Sequence, residues 1–288
     1  MPRSSRPKAP AHKSGKRSVA TRASPKRAPE AKPRPAPERA RAEAPEGPRY
    51  LYGVVRAREP LDFGSIGLGV PPAQVRAVTE GDLAALVSAA PGLAVGPTRA
   101  NLLAHQRTTE VVLREHTVLP VAFGTVLPSE AQVRALLRSA RDVLVGALTR
   151  LEGKVELGLK VLYHREHLAR RLEGEDARLK RHADESELEH ERRVGSAVET
   201  RASLDMAAML EGLRSLSVAS RTASPVGERM LLNAAFLVVR EHVQDFDAKV
   251  RMLAARSDFY AFRFTGPWAP YSFVDIRLGL ELDSGAAA

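Results

Sequence analysis

In "KVELGLKVLY", residues 154–163, Val155, Leu157, Leu159 and Val161 alternate with Lys154, Glu156, Gly158 and Lys160. A period of two belongs to a β-strand with one buried face, because a helix returns its apolar residues every three or four positions. A strand of this kind has to be covered by another layer. The chain supplies one downstream: "EHVQDFDAKVRMLAARS" sets Val243, Phe246, Val250 and Leu253 at three- and four-residue steps, one face of a helix. Between them, "MLLNAAFLVVR" is apolar almost throughout and reads as a central strand. Strands covered by helices are therefore the expected unit.

The first half repeats that mixture. "RYLYGVVRA" at 49–57 is a β-prone run and marks where order should begin. In "QVRAVTEGDLAALVSAA" the EGD turn favours two short strands. Thr98 is a natural N-cap for a helix over "RANLLAHQRTTEVVLREH", whose buried side is expected at Leu102, Leu103, Val112 and Leu113. "TVLPVAFGTVL" reads as a strand, with Pro120 implying an edge or a bulge. Ser129 with Gln132 forms a capping box before a helix carrying Val133, Leu136, Leu137, Ala140, Val143, Leu144 and Ala147. The expected fold class is α+β, in two sandwich-like domains over 49–151 and 152–288, with helices returning across one sheet face. Within the second, residues 164–218 are dense in Arg, Glu and His with sparse leucines, and read as a largely solvated helical arm. Tyr260, Phe262 and Phe264 then alternate along a strand, and a last strand is expected from about Ser272 to Leu280.

Charge separates the chain differently. Residues 1–48 carry 13 Lys/Arg against 4 Asp/Glu and 10 of the 20 prolines, whereas the remainder carries 31 against 30. The basicity thus belongs to a tail, which lacks the apolar residues needed to offset ordering entropy and reads as disordered. A balanced body offers no basic groove, which argues against a nucleic-acid partner, although the tail alone has the spacing of nonspecific phosphate contacts. No run of about 18 apolar residues exists to span a membrane, and the N-terminus has no secretory h-region, so a cytoplasmic protein is expected. Cysteine is absent, which excludes disulfides, zinc-thiolate sites and cysteine nucleophiles.

Motifs for chemistry are equally scarce. Gly64, Gly67 and Gly69 follow a G-x-x-G-x-G order, not a dinucleotide fingerprint, and a flexible connection is the better reading. His164 and His167 share a helical spacing, but a solvated helix explains them better than a metal site. Ser129 is accounted for as a cap, and Asp245 and Asp247 do not share a helix face. No catalytic residue, cofactor or metal is therefore assigned, and no enzyme is expected; a small-molecule enzyme on this type of sandwich is the alternative that fold alone leaves open.

Residues 258–280 hold seven of the fourteen aromatics, including Trp268, the one tryptophan. Two readings stand. Trp268 can fill a gap between layers beside a kink at Gly266–Pro267, or it can anchor a protein partner together with Tyr271 and Phe273. The core reading is favoured for each residue singly.

"RYLYGVVRA", "TVLPVAFGTVLPSE" (117–130), "GKVELGLKV" (153–161), "LNAAFLVVREHVQDFD" (232–247) and "FTGPWAPYSFVDI" (264–276) occur in order. Together they resemble the gas vesicle protein F/L family, GvpF/GvpL. The resemblance implies two α+β domains of modified ferredoxin-like topology, the second with extra helices. It further implies an accessory or minor component of gas vesicles, which associates with the small hydrophobic shell protein and with other accessory proteins during assembly. It brings no catalytic residues.

Overall fold

The computed structural model describes residues 47–275 apart from Ser257. Of the tail expected to be disordered over 1–48, residues 1–46 lie outside these residues, as does the far end of the last expected strand.

The first sheet is built from β1 (Arg49–Arg56), β2 (Asp62–Ser65), β3 (Gln74–Glu80) and β4 (Leu83–Ala89). After α1 (Arg99–Leu113) come the two-residue strands β5 (Leu119–Pro120) and β6 (Val126–Leu127), then α2 (Glu130–Ser139) and α3 (Arg141–Leu151). The strand order is β2-β3-β4-β1-β5, with β6 also on β1, and the pairs are antiparallel. Thr98 caps α1 by accepting from Asn101 N–H at 3.2 Å, and Ser129 caps α2 by accepting from Gln132 N–H at 3.3 Å.

Three expectations are corrected here. The 117–127 run is two short strands around a turn at Gly124, which takes φ +89°, and not one strand. Helices cover both faces of the first sheet, because β1 is buried at every position from Arg49 to Val55. Tyr50 and Tyr52 face α1 through Val112 and Leu113, while Leu51 and Val54 face Val133, Leu137 and Leu144 of α2 and α3. Finally, the buried side of α1 is His105, Thr108, Thr109, Val112 and Leu113, whereas Leu102 and Leu103 stay 45% and 41% exposed. The helix turns a mostly polar stripe inward because hydrogen-bonding partners await it there.

The second sheet comprises β7 (Lys154–Tyr163), then, after α4 (Arg165–Glu175) and α5 (Glu187–Arg214), β8 (Ala219–Thr222) and β9 (Met230–Val239). It ends, beyond α6 (Val243–Ala254), with β10 (Tyr260–Trp268). Its order is β10-β7-β9-β8, again antiparallel, so β7 and β9 are interior, as the nearly continuous apolar run of β9 leads one to expect. Phe246 of α6 packs on Phe236 and Phe264, with ring centroids 5.0 and 6.0 Å apart. The 164–218 segment is helical, but α5 is no free arm. Val194, Val198, Ala202, Met206, Met209 and Leu213 are buried at steps of three and four along it, in the same apolar cluster as the β7 and β9 residues.

Candidate partner interface

The segment after β10, where a last strand was expected to begin at about Ser272, is described as far as Asp275. It is a 3₁₀ turn at Tyr271–Phe273, closed by Tyr271 N–H on the Ala269 carbonyl at 2.8 Å and Phe273 N–H on the Pro270 carbonyl at 3.0 Å. Pro270, at the start of the turn, has no N–H with which to continue the β10 ladder. The kink expected at Gly266–Pro267 is a bulge in the register: β10 pairs with β7 residue for residue from Tyr260 to Thr265, then skips to Trp268 opposite Glu156. Gly266 takes φ +115°, and a Cβ there would come within 2.8 Å of the Glu156 carbonyl oxygen.

The bulge aims the following residues back over both sheets. Tyr271 reaches His105 of α1, with its hydroxyl 2.8 Å from Nε2, and His105 Nδ1 lies 2.9 Å from the Tyr50 hydroxyl. The donors along this chain can be ordered without conflict. Gly124 N–H donates to the Tyr50 oxygen at 3.1 Å, and in one consistent order the Tyr50 proton goes to Nδ1 and Nε2–H goes to Tyr271. Tyr271 then donates to Thr109 Oγ1 at 3.4 Å, and Thr109 to the Gln106 carbonyl at 2.8 Å. Such a chain suits a neutral imidazole. Burial holds the His105 pKa down at about 4, and burial raises that of the Tyr50 hydroxyl.

Ser272 grips the second sheet. Its N–H and its hydroxyl donate to the two carboxylate oxygens of Glu156, each at 2.7 Å. Glu156 is 9% exposed, although the alternation of β7 puts it on the polar side of the strand. Burial raises its pKa, and the two Ser272 hydrogen bonds oppose that shift. Phe273 packs beside the α2–α3 core with the Arg221 guanidinium 5.7 Å above its ring, and Arg221 Nη1 donates to Asp275 Oδ1 at 2.9 Å.

Trp268, Tyr271 and Phe273 are therefore brought within one short segment but not into one continuous aromatic patch. Trp268 and Phe273 are half-buried; Tyr271 is 37% exposed with its hydroxyl engaged. The open feature beside them is β10, whose outer edge pairs with no strand among the described residues. Sequence reasoning missed His105, Tyr50, Glu156 and Arg221. The available signal was the His105, Thr108, Thr109, Val112 stripe, an internal helix face too polar to be explained by burial alone.

His164 and His167 have ring centroids 5.3 Å apart, and no group of three or more metal-ligating side chains gathers among the described residues. No described helix is long and apolar enough to cross a membrane.

The family model described as gas vesicle synthesis protein GvpL/GvpF matches residues 48–275. Gas vesicle protein F of a Streptomyces species is 31% identical over 237 residues, covering 78% of this chain and 99% of that protein. Gas vesicle protein F2 of Halobacterium salinarum is 30% identical, over 82% of this chain and 96% of its own length. The crystal structure of GvpF from an Anabaena species superposes with a TM-score of 0.68 at 23% identity, covering 81% of this chain and 100% of that one. With its match running from the first strand to Asp275, the chain belongs to the GvpL/GvpF family of gas vesicle synthesis proteins.

Proposed function

We propose that this protein is a non-enzymatic accessory component of gas vesicle assembly, located in the cytoplasm and at the vesicle. It binds the hydrophobic shell protein and other accessory proteins while the shell nucleates or grows. The observation that carries this reading is the outer edge of β10, which pairs with no strand among the described residues and ends at half-buried Trp268. A strongly apolar subunit aggregates when released alone, and an open strand edge flanked by an aromatic side chain can hold an extended segment by main-chain hydrogen bonds until it joins the polymer. Trp268, Tyr271 and Phe273 are the proposed contact residues. The reading is of two modified ferredoxin-like α+β domains, 49–151 and 152–288, the second carrying the extra helices α4 and α5.

The test is retention of shell protein by immobilised full-length chain. Trp268→Ala is expected to keep its far-ultraviolet circular dichroism and lose at least half of the retained shell protein. Full retention by a folded variant removes Trp268 from the contact, and normal vesicle number and shape after deletion of the gene from its host would sink the assembly role.

A further inference from the structure

The Gly64–Gly69 loop, expected to be a flexible connection, forms instead one wall of a groove whose other wall is the outer face of α1. Gly67 N–H donates to the Ala73 carbonyl at 2.8 Å and Ala73 N–H to the Leu68 carbonyl at 3.0 Å. Leu68 N–H donates to the buried Tyr52 hydroxyl at 2.9 Å, and the Thr108 hydroxyl to the Ile66 carbonyl at 3.3 Å. A Cβ on Gly67 would stand 2.7 Å from that Tyr52 oxygen, so this glycine admits a close approach. The loop is pinned to both β1 and α1, and the groove is preformed. It encloses about 720 Å³.

Its floor and lip are apolar. Ile66, Ala100, Leu103 and Val111 line it, and neighbouring Val70 is 99% exposed. Along the helix wall, Ala100, Leu103, Arg107, Val111 and Arg114 follow one another at steps of three and four, a stripe roughly 20 Å long. The inner face of α1 is committed to Tyr50 and Tyr271 through His105, while Leu103, Arg107 and Arg114 of the outer stripe are exposed among the described residues.

The charges select the occupant. Arg107 and Arg114, two helical turns apart, have no carboxylate partner among the described residues, while Glu110 between them accepts from Gln106 at 2.7 Å. The pattern along the wall is positive, negative, positive. A second copy of this chain docked symmetrically and antiparallel can set Arg107 or Arg114 against the copy's Glu110 but not both, whereas a partner helix with two carboxylates pairs with both. We propose that the groove between α1 and the Gly64–Gly69 loop docks an amphipathic helix of a partner protein bearing two carboxylates two turns apart. Its apolar side packs on Leu103, Val111 and Ile66, and its carboxylates pair with Arg107 and Arg114. The proposal is independent of the β10 contact.

Two fluorescently labelled synthetic helices of about sixteen residues, identical in their Leu/Ala frame, serve as probes. One carries Glu at two positions two turns apart and the other Lys. Anisotropy titration with full-length protein is expected to show the Glu helix binding about tenfold tighter, as two partly exposed ion pairs can supply. The double variant Arg107→Glu/Arg114→Glu is expected to invert that preference, and Leu103→Asp to weaken both helices. All three positions are exposed, so an unchanged thermal midpoint is the control for folding. Equal affinity for the two helices, binding of neither, or a preference indifferent to the double substitution overturns the proposal. Trp268→Ala should leave this binding untouched, which separates it from the shell-protein contact.

Discussion

His105 sits 5% exposed between two tyrosine hydroxyls, and its neutral form is the one its surroundings accept. The folded pKa of about 4 lies below the ordinary value of 6.5. As pH falls, the unfolded chain takes up this proton first. His105 therefore contributes stability that is complete above pH 6.5 and is lost as pH drops towards 4, about 3 kcal/mol in all. Glu156 acts in the opposite sense. Its folded pKa is raised, so its contribution is present at low pH and is lost as pH rises through that value. Denaturant melts of wild type and His105→Gln at several pH values isolate the histidine. The gap between the two curves is expected to narrow by about 3 kcal/mol from pH 7 to pH 4, and a constant gap contradicts the buried neutral imidazole. Tyr271→Phe keeps the ring but removes one hydroxyl from the chain and should cost about 1 kcal/mol in the same assay at pH 7.

At the scale of elements, burial and function are divided between the two faces of single helices and strands. Phe246, fully buried on α6 against Phe236 and Phe264, should cost about 3–5 kcal/mol when replaced by alanine, read from the urea midpoint. The Gly64–Gly69 loop offers a sharper test of preorganisation. Gly67→Ala forces a methyl onto the Tyr52 hydroxyl and the Ala73 carbonyl, both within 2.8 Å, and should destabilise by about 1–3 kcal/mol. Leu103→Ala, on the exposed outer stripe of α1, should stay within about 0.5 kcal/mol of wild type. If Leu103→Ala instead destabilises as Gly67→Ala does, α1 uses that stripe for packing and the groove is not free.

For the molecule as a whole, the segment Trp268–Asp275 is one polar tie between the two sheets, beside a shared apolar cluster and the Arg240 hydrogen bond to the Leu113 carbonyl. Tyr271 fastens it to α1, Ser272 to β7, and Asp275 to Arg221 on β8. Ending the chain after Ala269 removes all three at once. Hydrogen exchange is expected to rise around His105 and around Glu156 together, and the thermal midpoint to fall further than for any single substitution in the segment. Unchanged protection at either place shows that the tie is not holding that sheet.

Much of this was legible in order along the chain. The strands β1, β3, β4, β7 and β9, the caps Thr98 and Ser129, and the Phe246–Val250 face of α6 follow from apolar period and side-chain hydrogen bonding within a few residues, which are local physics. The family was legible too, because its matching runs include the Gly-Pro bulge and the turn after it. Tertiary structure alone decided which faces were inside. Leu102 and Leu103 read as core but lie exposed, while His105 and Glu156 read as polar but lie buried, because a side chain's burial depends on what returns to cover it. For His105 that covering comes from Tyr271, 166 residues away, and for Glu156 from Ser272, 116 residues away. Period and propensity act over a turn or two and carry no information about a partner at that distance.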